Sequence, residues 1–181
     1  STNPTSGKVV VLARVTDQRS FETAPKDPSV PSLKDGAIHD KAITSRAVAR
    51  KRGGFGAAMG DVLLPEGRSV EGLVRESVTR ALREKGYVVP EPGAPVPPEH
   101  QTLEVDIREF WSWFQPGFWA ITLHFKAGLD LKGPVALGGE ARVSSETQQK
   151  GMAATEGSWM EIIQAGTGEL SGKVKEKLKE P

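Results

Sequence analysis

The chain has 181 residues, 37% of them hydrophobic and 26% charged, with a net charge of +1 from 24 basic and 23 acidic side chains. That length supports one hydrophobic core, and the near-neutral balance gives no overall electrostatic case for a nucleic-acid binder or a membrane-surface protein. Cysteine is absent, which excludes thiolate zinc sites, thiol nucleophiles and redox pairs and tilts the reading toward an exported protein.

The first seven residues are polar and uncharged, unlike a signal peptide, and read as a tether before a domain spanning 8–181. No apolar run approaches the roughly 20 residues needed to cross a bilayer. Lys8 to Val15, "KVVVLARV", is a short valine-rich run that predicts a strand buried on both faces and central in its sheet. Three prolines and two aspartates between Pro25 and Gly36 predict an extended, flexible loop over 20–37.

Ile43 to Val48 and Asp61 to Leu64 read as short strands on either side of "GGFGAAMG", Gly53 to Gly60, which is too glycine-rich for a regular element. Val70, Leu73, Val74, Val78, Ala81 and Leu82 fall at helical spacing, with Ser69 suited to cap the start and Gly86 to follow the end. Five prolines from Pro90 to Pro98 then predict a stiff exposed linker over 90–100.

Two alternating segments follow. Leu103, Val105, Ile107, Trp111 and Trp113 share one face, as do Trp119, Ile121, Leu123, Phe125, Ala127, Leu129 and Leu131, with Gln115-Pro116-Gly117 as turn chemistry between them. A hairpin with an odd-numbered loop would pair Trp113 with Trp119, Ile107 with Phe125 and Asp106 with Lys126. A third alternating strand runs from Leu137 to Glu146 and is expected to end in the polar "SETQQKG". A helix from about Thr155 carries Trp159, Ile162, Ile163, Leu170, Val174 and Leu178 in one stripe. Gly166 and Gly168 weaken it by on the order of 1 kcal/mol each. The expected architecture is α+β, with two helices on one face of a mostly antiparallel sheet that carries a long aromatic-tipped hairpin.

Chemistry-bearing patterns are sparse. No lysine follows the glycines at 53–60 as a phosphate-cradling loop requires, and "DVLLPEG" stands where a dinucleotide fold needs a helix. The basic run Arg46 to Arg52 reads as a solvated strand face, although an RNA or anionic-lipid patch is the alternative. His39, His100 and His124 lie in unrelated segments, so no metal site or cofactor is expected. Asp17 and Arg19 end the first strand as a candidate structural ion pair, without the nucleophile that a catalytic carboxylate would need. Glu109, on the apolar face between Ile107 and Trp111, marks either a buried carboxylate or a β-bulge.

Taken together, these segments resemble the YajG-like family of bacterial envelope lipoproteins. The likeness rests on the valine-rich strand running into Asp17-Gln18-Arg19, the Lys51-Arg52-Gly53-Gly54-Phe55-Gly56 turn, and a helix closing on Leu82-Arg83-Glu84-Lys85-Gly86-Tyr87-Val88-Val89. The strands from Leu103 and the final helix keep the family order. The resemblance implies a periplasm-facing domain anchored to the outer membrane through a lipidated cysteine ahead of the tether, with no enzymatic activity.

Six of the eleven aromatic residues lie between Phe110 and Trp119. Strand alternation puts Trp111, Trp113 and Trp119 on one face and Phe110, Phe114 and Phe118 on the other, while one helical layer covers one face. Either the 20–40 loop or the 90–100 linker folds over the second face, or the tip is an interface. In the interface reading those six residues meet a second copy, another envelope protein or the membrane interface. The alternative function is a carrier of a lipid or small apolar ligand held between sheet and helices.

Overall fold

A computed structural model describes residues 8–53 and 57–181. The expected tether at 1–7 and the centre of the glycine-rich turn, Gly54 to Gly56, lie outside the described residues. Strands β1 (Val10–Asp17), β2 (Ala47–Arg52), β3 (Ala58–Leu63), β4 (Gln101–Pro116), β5 (Ile121–Gly133) and β6 (Gly139–Gly151) form one sheet. The short helix α1 (Lys41–Thr44) and the long helices α2 (Val70–Lys85) and α3 (Glu156–Lys177) complete the fold. The order β3-β2-β4-β5-β6, with β1 also paired to β4, makes this a mostly antiparallel α+β sheet as expected.

β4 is the spine. Its first half pairs in parallel with β1, from Val10 opposite Gln101 to Asp17 opposite Ile107. Further along the same edge, β2 joins through Ala49 opposite Ser112. The other edge carries β5, and β6 follows it from Ile121 opposite Gly151 to Gly133 opposite Gly139. Helices α2 and α3 pack on one face, where Val74, Val78, Leu82, Trp159, Ile162 and Leu170 meet Val105, Ile107, Phe125 and Leu129.

Both long helices start and stop as their sequences dictate. Ser69 Oγ accepts from Gly72 N at 3.0 Å, Thr155 Oγ1 accepts from Ser158 N at 3.2 Å, and Gly86 takes φ 109° past the end of α2. Gly166 is a contact residue rather than only a weak point. A Cβ there would collide with the Phe125 ring, so its absence lets α3 lie close on the sheet.

Several sequence expectations need correction. β1 pairs with β4 alone and is not central; its outer edge is shielded instead by Arg75 Nη1 on Leu12 O (3.1 Å), Val88 O on Val10 N (2.9 Å) and Glu71 Oε1 on Asp17 N (2.8 Å). An apolar run can therefore sit at an edge when a helix covers it. Ile43 belongs to α1, capped by Asp40, and the strand starts only at Ala47. β3 begins at Ala58, inside the stretch read as irregular. β6 continues through the polar segment to Gly151, where Thr147 Oγ1 donates to Glu169 of α3 at 2.9 Å.

The hairpin register also differs. Gly117 to Ala120 form a four-residue loop closed by Gly117 N on Ala120 O at 2.9 Å, and the ladder skips Arg108 between Ile107 and Glu109. Ile107 faces Leu129, Ser112 faces Phe125, Trp113 faces His124, and Asp106 lies opposite Asp130. The extra residue at the bulge exchanges the faces of everything beyond it. Leu103, Val105, Ile107 and then Phe110 point to the helices, while Trp111 turns to the other side.

Candidate functional site

The bulge decides which aromatic residues are free. Phe110 is fully buried against Phe125, ring edge to face at 4.9 Å. Trp111 is fully buried on the opposite face in a second apolar cluster with Leu33 and Ala47, against which Phe21 and Ile38 pack. Its indole Nε1 donates to Pro28 O at 3.2 Å, so the 20–40 segment is the cover for this face. That segment is itself braced by Glu22 N on Pro31 O at 2.9 Å. Trp113, half-buried, stacks on His124 at 5.1 Å under the Lys126 ammonium, and half-buried Phe114 leans on Trp159 at 6.4 Å.

Phe118 and Trp119 are different. They sit in the loop at 89% and 83% exposure, rings perpendicular with centroids 4.8 Å apart. Of the six aromatic residues singled out in the sequence, Phe110 and Trp111 are core, Trp113 and Phe114 are shoulders of the tip, and these two form its apex. Met152, 86% exposed, follows β6 directly, and the Ile121–Gly151 pairing sets it beside the hairpin end. Sequence reasoning missed it because its position depends on β6 running to Gly151.

Below the apex an open recess of about 420 Å³ lies between the hairpin, β2–β3 and the start of α3. Met59, Phe114, Ile121, Ala154 and Trp159 line it, with Lys51 at the margin. Lys51 is bound to Glu156 at 3.0 Å.

Asp17 and Arg19 lie away from the tip, at the point where β1 ends and β2 begins along β4. Arg19 Nε and Nη2 grip the two Asp17 carboxylate oxygens at 2.9 and 2.8 Å. The other guanidinium hydrogens reach Ala47 O (2.6 Å), Phe110 O (3.0 Å) and Thr44 O (2.7 Å). Every donor of the guanidinium is used within the fold, and its plane lies over Phe21 at 5.1 Å. The group therefore closes the gap between β1 and β2 rather than facing a substrate.

Next along β4 from Ile107, which faces Asp17, the bulge residue Arg108 meets Asp130 Oδ2 at 2.6 Å, and Arg142 meets Oδ1 at 2.8 Å. The hydrogen bond from Arg142, then that from Arg108, holds the Asp130 carboxyl below its ordinary range. Among the described residues no helix is long and apolar enough to cross a membrane, and no three acidic or histidine side chains converge on a metal-sized site.

No family model and no curated protein matches the chain. Some solved structures are similar over much of their length. An uncharacterised protein is similar over 94% of this chain and 98% of its own, at 11% identity and a TM-score of 0.45. A Xanthomonas campestris protein of the DUF330 family covers 95% and 85%, at 14% identity and a TM-score of 0.47. A minor lipoprotein from Acinetobacter baumannii covers 60% and 87%, at 9% identity and a TM-score of 0.39. At these scores and identities the likenesses carry no argument about function, which rests on this chain's own residues.

Proposed function

We propose that this chain is a non-enzymatic binding domain of the bacterial cell envelope whose contact element is the tip of the β4–β5 hairpin. One observation carries the reading: Phe118 and Trp119 stand almost fully exposed at the end of a long, otherwise well-covered hairpin. Burying a large apolar side chain is worth roughly 1.5–3 kcal/mol, so two held in water at the apex favour association. The envelope placement, periplasm-facing and anchored through a lipid, is supported by the sequence pattern around Asp17-Gln18-Arg19 and Leu82 to Val89.

The carrier alternative is less well supported. The layer between sheet and helices is filled by Phe110, Phe125, Trp159 and Ile162, and α3 is pressed onto Phe125 at Gly166. An enzyme reading has little to stand on, because the charged pair with the most elaborate geometry, Asp17 and Arg19, is consumed in holding strands together.

The test is recovery of the pure chain on sedimented envelope fragments that contain both lipid and protein. Wild type is expected to sediment with them, and Phe118→Ser/Trp119→Ser to stay in solution with an unchanged thermal midpoint. Equal recovery of the two would refute the tip as the contact element.

A further inference from the structure

β6 is the outer strand of the sheet, and its free edge is long. Its ladder with β5 runs unbroken from Ile121 opposite Gly151 to Gly133 opposite Gly139. The strand contains no proline, and among the described residues no backbone group of another element bonds to its outer side. The edge of β1, by contrast, is covered by Arg75, Val88 and Glu71. A long edge without bulge, proline or cover is the kind that accepts a further strand.

The polar end of this edge, 145–151, is patterned to take its own copy. Glu140 is held by Lys132 at 3.6 Å and Arg142 by Asp130 at 2.8 Å. Glu146 and Lys150 stand on the same face, two residues either side of Gln148, exposed and without an ion-pair partner among the described residues. Lys126, opposite Glu146 on β5, is turned toward Glu109 at 3.9 Å and the Trp113 ring at 5.8 Å. Two copies laid antiparallel about Gln148 set Glu146 against Lys150 twice and Gln148 against itself, whose amide both donates and accepts. Centring the pair on Glu146 or on Lys150 would oppose like charges instead. The helix side offers room for the second strand. Thr147 points there, bonded to Glu169 of α3 at 2.9 Å, and Gln149 shares its face by alternation. Beside them an open recess of about 470 Å³ is bounded by Glu161, Ile162 and Ala165.

We infer that the chain pairs with a second copy of itself through residues 145–151 of β6, joining the two sheets into one. Glu146 of each copy meets Lys150 of the other, and the recess beside α3 receives Thr147 and Gln149 of the second copy. The contact is separate from the hairpin tip. Seven residues a side make a small interface, so the dimer forms and dissociates with concentration.

The experiment is analytical ultracentrifugation of the full chain from about 1 µM to about 1 mM. Wild type is expected to pass from monomer to dimer over that range. Glu146→Lys and Lys150→Glu each oppose like charges twice and should weaken the dimer by roughly tenfold, with the thermal midpoint of the dilute monomer unchanged. The double variant Glu146→Lys/Lys150→Glu should dimerise as wild type does, and an equal mixture of the two single variants should associate although neither does so alone. A wild type that stays monomeric would overturn the proposal, as would single variants that dimerise like wild type or a mixture that does not associate. Phe118→Ser/Trp119→Ser should dimerise normally. Loss of the dimer in that variant would move the contact from β6 to the tip and overturn the β6 pairing, while leaving the tip as the contact element.

Discussion

At the scale of single residues, Arg19 has the largest structural consequence. Its side chain is fully buried and saturates five acceptors that would otherwise be left facing a gap in the sheet. Removing one partner of such a pair typically costs about 3–5 kcal/mol, because the other charge is left uncompensated. Arg19→Ala should lower urea stability by that order, and Arg19→Lys should recover little of it, since an ammonium cannot reproduce the planar fork. Asp130 gives a second residue-level prediction, with a defined sign. Its folded value lies below the unfolded one, so its contribution to stability is present above the ordinary carboxylate range and is lost as pH falls through the lowered folded value. Carboxyl NMR titration should find Asp130 below an unperturbed aspartate, and Arg142→Gln should move it back toward the ordinary value. A titration at or above that range in wild type would contradict the Arg108–Asp130–Arg142 geometry.

At the scale of elements, the two glycines of α3 make opposite predictions for the same substitution. Gly168 is exposed with open space around it, so Gly168→Ala should stabilise the helix by about 0.5–1 kcal/mol. Gly166→Ala drives a methyl into Phe125, and overpacking of about 1–3 kcal/mol should outweigh the gain in helix propensity. Paired denaturation curves check both signs at once. From sequence the two looked alike, because periodicity shows which face a residue occupies and not how near the sheet comes. The helices themselves were legible: their stripes, caps and closing Gly86 are local signals, and they appear where expected. The strands were legible as elements but not as pairs. A single extra residue at Arg108, of which Glu109 on an apolar face was the only trace, exchanges the faces of Phe110 and Trp111 and shifts the register with β5. A local pattern does not reveal where a bulge absorbs one residue.

At the scale of the molecule, the aromatic cluster divides into a buried part and an exposed part. Trp111 and Phe110 hold two separate cores on the two faces of one strand, and the segment around Pro28 and Leu33 supplies the cover for the second. Sequence alone left open whether the 20–40 loop or the 90–100 linker supplied that cover, since the choice depends on contacts many residues apart. What remains uncovered is the apex, Phe118 and Trp119. The most direct test of that arrangement is acrylamide quenching of tryptophan emission in the pure chain, measured on wild type and Trp119→Phe. Emission from wild type should be strongly quenched and that of Trp119→Phe far less, because Trp111 and Trp159 are enclosed and Trp113 lies stacked on His124. Equal quenching in the two proteins, or weak quenching in wild type, would contradict the exposed tip on which the proposed contact rests.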